Sequence, residues 1–161
     1  MKKKLSQGFT FVELLLVMSV IAILTTFVSL ALVNSRASTS LETVSSTFMA
    51  DFKNQQVKAM SGDTEGRGMP DHYGIYFDSD AYILFHGSSY NSSDDDNFSV
   101  PMDNSVTIST TFANDTVHFA TQSGEITGFS EGQNTVTFSD ASVTKSKTFI
   151  VNKYGVFSEE N

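Results

Sequence analysis

The chain carries one acidic side chain where acid is costly. From Phe9 to Val33 the only ionisable residue is Glu13, set in a run that is otherwise apolar or hydroxyl-bearing. Twenty-five residues at 1.5 Å each make roughly 37 Å of helix, enough to cross a hydrocarbon layer with some tilt. A carboxylate inside such a span costs up to about 2.5–3.5 kcal/mol at mid-depth and less near an end. Simple anchoring gives no reason to keep it, so a partner is expected. A cut between Gly8 and Phe9 would supply one, because the new amine of Phe9 stands four residues before Glu13. Glu13 of one chain would then meet the Phe9 amine of a neighbour displaced along the helix axis. In low dielectric such a pair attracts far more strongly than at a surface, and it removes two uncompensated charges.

Other reactive residue types are scattered. The chain has three histidines (His72, His86 and His118), no cysteine and no Gly-x-Ser-x-Gly elbow, and it reads as a non-enzyme without a cofactor motif. Asp71 and His72 are neighbours, but adjacent strand residues point to opposite faces, so a solvated loop is preferred to an acid–base pair. Asp94, Asp95 and Asp96 offer the oxygen ligands that calcium takes, without the alternating spacing of a calcium loop. They read first as hydrated surface acids, with calcium as the alternative. Lys145 and Lys147 alternate along one strand face with Lys153 nearby, a small patch for phosphate contacts to nucleic acid. The plainer reading is lysines guarding an edge strand. Tyr90, with the Asn, Ser and Asp residues around it, is the candidate contact surface of an adhesin.

These residues need elements to hold them. After Val33 the polar Asn34, Ser35 and Arg36 mark a water interface, and Leu41, Val44, Phe48, Phe52 and Met60 recur at near-helical intervals. That pattern predicts an amphipathic helix lying on a sheet, ended at Ser61-Gly62 by a left-handed cap. No proline or glycine interrupts the span from Phe9 to Met60. Residues 63–72 form a glycine-bearing connector. Beyond it the period becomes that of strands: residues 72–77 and 81–85 predict a hairpin around Asp78-Ser79-Asp80, which are its turn residues. Residues 87–97 read as a loop. Shorter strands are expected near 106–111, 116–120, 125–127, 135–138, 148–151 and 156–157. The fold class is α+β, a long N-terminal helix packed on a C-terminal antiparallel sheet domain.

The expected division is a leader over 1–8, a transmembrane and assembly half-helix over 9–33, an amphipathic half over 34–62 and a β-rich domain over 63–161. Lys2, Lys3 and Lys4 put the N-terminus in the cytoplasm by the positive-inside rule, with the C-terminal domain outside. Without those three, the ten basic residues fall to seven against 18 acids, an acidic domain ill suited to nucleic acid. Zero cysteines means stability from core packing, without disulfides. An ordinary secretory signal fits poorly: its apolar region is shorter, and its cleavage site follows that region.

Lys2-Lys3-Lys4, Gly8, Phe9, Thr10, Glu13 and the apolar run together resemble the prepilin signal of the type IV pilin and type II secretion pseudopilin superfamily. The resemblance implies cleavage between Gly8 and Phe9 by a prepilin peptidase, N-methylation of Phe9, and Glu13 as the assembly residue. It further implies a single-pass inner-membrane precursor that joins other pilins on an assembly platform and passes into a pilus or pseudopilus at the cell surface. The Tyr73-Gly74-Ile75-Tyr76-Phe77 segment is similar to FimT-type minor pilins and H-type pseudopilins. So are Val117-His118-Phe119 with Gly124, and the ending Phe149-Ile150-Val151 with Tyr154-Gly155-Val156-Phe157. This likeness implies a minor fibre subunit. The alternatives are a DNA-binding pilin of an uptake pilus and a tip adhesin.

Overall fold

The computed structural model describes residues 9–142 and 144–160. The leader, including the Gly8 side of the expected cleavage site, lies outside the described residues, as do the side chains of Asn34, Ser35 and Arg36. The chain divides into two compact units, Met1–Arg36 and Ala37–Asn161. Helix α1, Phe11–Ser61, contributes to both.

In the first unit every described side chain is exposed, from Phe9 through Leu16 to Leu24. A helix apolar all round has no inward face of its own. Its hydroxyls are satisfied within the helix. Ser19 donates to the Leu16 carbonyl at 2.8 Å, Thr25 to Ile21 at 2.7 Å, Thr26 to Ala22 at 3.0 Å and Ser29 to Thr25 at 2.9 Å. Such back-bonding hides polar groups from an apolar surrounding. Among the described residues no helix is long and apolar enough to cross a membrane. The side chain at position 27, inside the apolar run, is outside that set.

In the second unit the helical period resolves into a buried stripe of Leu41, Ser45, Phe48, Phe52, Gln55, Gln56 and Ala59. Met60, expected on this face, is 51% exposed. Gly62 at φ +65° ends the helix, with its N–H on the Ala59 carbonyl and the Asp63 N–H on that of Lys58. These two bonds close the left-handed cap predicted there.

The domain is antiparallel throughout but holds two four-stranded sheets, where the sequence pattern suggested one. Strands β1 (Tyr73–Phe77), β2 (Ala81–His86), β3 (Phe98–Pro101) and β5 (Thr116–Phe119) form the first, ordered β3-β2-β1-β5. Strands β4 (Val106–Thr110), β6 (Thr135–Asp140), β7 (Lys145–Val151) and β8 (Phe157–Glu160) form the second, ordered β4-β6-β7-β8. In the expected hairpin, Asp78 donates its N–H to the Ala81 carbonyl at 2.9 Å, so only Ser79 and Asp80 remain in the loop. Residues 125–127 form no strand; Ile126 makes a single bridge to Phe119.

Phe48 explains how helix and sheets share one core. Its ring contacts Phe77 and Tyr82 of the first sheet, and Phe138 and Phe157 of the second. Phe52 repeats this with Phe119 and Phe157. The helix therefore lies along the seam between the sheets, closing both with one aromatic row. Polar clamps reinforce it. Gln56 donates from Nε2 to the carbonyls of Gly124 at 2.8 Å and Tyr154 at 2.9 Å. Lys53 Nζ donates to the Gly155 carbonyl at 2.6 Å and to Gln56 Oε1 at 3.0 Å.

Candidate functional site

The helix start is built by Thr10 and Glu13. Thr10 donates both its N–H and its hydroxyl to Glu13 Oε2, each at 3.0 Å, and the Glu13 N–H returns to Thr10 Oγ1 at 3.2 Å. This is a capping box: the threonine and the acid three residues on satisfy each other's otherwise orphaned donors. The spacing Thr10-x-x-Glu13 is itself a start signal in the sequence, and the intermolecular role expected of the acid does not include it. The box occupies one carboxylate oxygen. Among the described residues Glu13 Oε1 accepts nothing, and the whole side chain is exposed beside Phe9, itself 84% exposed. Glu13 therefore has a structural task in its own chain and an oxygen left for another.

In the domain, the remaining candidates mostly find partners. Asp96 takes a hydrogen bond from Arg67 Nη2, and Asp94 lies 4.0 Å from the same nitrogen. That bond holds the Arg67 guanidinium above its ordinary pKa. Arg67 thus occupies the cationic place beside the aspartate run, while Asp95 faces solvent. Among the described residues, no group of three His, Cys, Asp or Glu side chains converges as a metal site.

Lys145 and Lys147 stand on β7 ahead of residues 148–151, which pair with β8, so among the described residues β6 alone flanks them in the sheet, as the edge-strand reading expects. Lys147 pairs with Glu42 of α1 at 2.9 Å and lies over the Phe149 ring. Lys153 pairs with Glu125 at 2.8 Å, a bond that raises its pKa. Lys145 stands opposite Asp140 in the β6–β7 register. At Lys147 and Lys153 phosphate would have to displace these acids.

Asp71 and His72 do meet, contrary to the opposite-faces argument, because β1 begins only at Tyr73. Asp71 Oδ1 accepts the His72 N–H at 2.7 Å and lies 3.2 Å from its Nδ1. The backbone bond is the main cause of Asp71's lowered pKa. Both residues remain partly exposed. His118 is held below the ordinary histidine range first by burial and then by the charge of His72. Tyr90 stacks on Tyr76 at 4.2 Å between ring centres, which packs its loop onto the sheet and leaves the residue half-buried.

Residues 3–29 match the family described as the prokaryotic N-terminal methylation motif. No curated protein and no solved structure matches the chain. The match covers Lys3 and Lys4, the Gly8–Phe9 junction, Thr10, Glu13 and most of the apolar run. It supports a type IV pilin-like precursor and points to a structural family, which is not an enzyme class.

Proposed function

We propose that the chain is a minor pilin or pseudopilin of the FimT or H type. In this reading a prepilin peptidase cuts between Gly8 and Phe9, Phe9 is N-methylated, and residues 9–33 hold the precursor in the inner membrane as a single span. The N-terminus faces the cytoplasm. The chain is then drawn by an assembly platform into a type IV pilus or a secretion pseudopilus, where Glu13 meets the Phe9 amine of a neighbour.

The carrying observation is the division of labour at Glu13: one oxygen closes the capping box and the other has no partner among the described residues. Capping alone does not require a charge, since glutamine serves at the same position. An amine partner does require it, because only the carboxylate neutralises the buried ammonium. Glu13→Gln therefore separates the two roles. We expect the variant to be processed to a Phe9 N-terminus, verified by mass spectrometry, and to enter fibres at least tenfold less than the wild type. Incorporation at wild-type levels would reduce Glu13 to a helix cap. A mature N-terminus elsewhere than Phe9 would overturn the whole reading.

A further inference from the structure

Arg67 ties three segments of the domain together. From the connector after α1, its Nη1 lies 2.6 Å from His86 Nδ1 and 3.4 Å from the His86 carbonyl oxygen. Its Nη2 bonds Asp96 and lies 4.0 Å from Asp94. His86 ends β2, and the two aspartates belong to the loop of residues 87–97 that follows it. The same loop is held further along by Tyr90, whose ring centre lies 4.2 Å from that of Tyr76 and 5.6 Å from that of Phe85.

This tie needs a neutral histidine. A guanidinium only donates, so Nδ1 is the acceptor and the ring proton sits on Nε2. Nε2 is itself buried and finds no partner among the described residues. A second proton would therefore aim an Nδ1–H at the guanidinium while Nε2–H still lacked an acceptor. The residue is 8% exposed and its ring is stacked on Tyr73 at 4.5 Å, so the added charge would also be poorly hydrated.

The charged and titratable groups around the ring do not offset this. Asp51 and Lys58 stand near it on α1, Glu65 and Asp71 on the connector, Tyr73 on β1, and Asp94 and Asp96 on the loop. The acids would favour a protonated ring, but each is already engaged. Asp51 accepts the Tyr82 hydroxyl at 2.6 Å, Glu65 pairs with Lys58 at 2.6 Å, Asp71 accepts the His72 N–H at 2.7 Å, and Asp94 and Asp96 share Arg67. Arg67 alone touches a ring nitrogen among the described residues.

We propose that His86 is an acid-labile latch: on taking a proton it expels Arg67, and residues 87–97 lift from the first sheet and uncover Tyr76 and Phe85. Hydrogen exchange of the full chain in micelles, read by mass spectrometry at about pH 7.5 and about pH 5 and corrected for intrinsic rates, tests it. Both conditions lie above the ordinary carboxylate range, so histidine is the side chain that changes. The strands of the second sheet contain no histidine and supply the reference. At the lower pH, protection over residues 87–97 should fall at least tenfold relative to residues 135–151. His86→Asn keeps an acceptor near the place of Nδ1 and takes up no proton, so its loop should stay protected at both conditions. A fall retained in that variant would move the response to His118, on the opposite face of the sheet, and overturn the proposal. So would wild-type protection that holds at the lower pH, or that falls equally in both regions. Should His86→Asn fail to fold, Arg67→Met decides: its loop should exchange freely at both conditions, and a pH-dependent fall there would refute the latch.

Discussion

Gly155 and Gln56 offer a prediction whose size can be worked from the contacts. Gly155 has φ +72°, and a Cβ there would come within 2.7 Å of Gln56 Nε2 and 3.0 Å of its Oε1. Alanine in the left-handed region costs about 1–2 kcal/mol. The Gln56 amide would also have to move, breaking bonds to the Gly124 and Tyr154 carbonyls. Each is worth about 1 kcal/mol net, and more where a carbonyl is left buried without a donor. Gly155→Ala should therefore destabilise by about 3–4 kcal/mol. Gln56→Ala alone should cost about 2–4 kcal/mol, since the same carbonyls lose their donor. In the double variant the steric conflict is gone and only the backbone strain is added, so the second substitution should cost about 1–2 kcal/mol. The coupling is then about 2 kcal/mol, well beyond the 0.3–0.5 kcal/mol scatter of independent sites. Urea unfolding of the full chain in micelles, followed by tyrosine fluorescence, would measure it. Additive costs within that scatter would refute the claim that the helix amide holds the Gly155 loop.

Two further outcomes follow from the same coordinates. Gly74→Ala would drive a Cβ to 2.3 Å from the Phe85 ring and 2.8 Å from the Val117 carbonyl, an overpacking expected to cost about 3 kcal/mol, read as a lower urea midpoint. Asp140 is held below the ordinary carboxylate range by the Ser142 hydroxyl, with help from the Ser142 N–H and Ser105. A lowered folded pKa gives stability that is present above the unfolded carboxylate range and lost as pH falls below about 4. Urea midpoints at pH 7 and pH 3 should therefore differ more in the wild type than in Asp140→Asn.

What could be read from the sequence was local and periodic. Gly62 stops the helix because a left-handed cap needs only its own few residues. Tyr73, Ile75 and Phe77 alternate inward because strand geometry alone sets their face. Where tertiary partners decide, the pattern was silent. Thr110 pairs with Val136 across β4 and β6 while Tyr73 pairs with Phe119, and no periodicity distinguishes one sheet from two. Phe98–Pro101 became an edge strand although Ser99 and Pro101 are poor strand signals, because an edge leaves the missing proline donor harmless.

Gln55 and Gln56 are the instructive pair. Both are polar and both sit on the buried stripe, where an apolar pattern expects Leu or Val. Gln56 is explained by carbonyls far along the chain, which the glycines at 124 and 155 allow to come close to the helix. Those glycines belong to segments whose likeness to minor pilins rested on strand-like letters. The structure gives both the same physical task, one helical amide. Gln55 has no such answer for its oxygen. Identical residues, adjacent on one helix, thus separate into one that closes the fold and one whose oxygen is buried without a partner among the described residues. Only the positions of distant atoms draw that distinction.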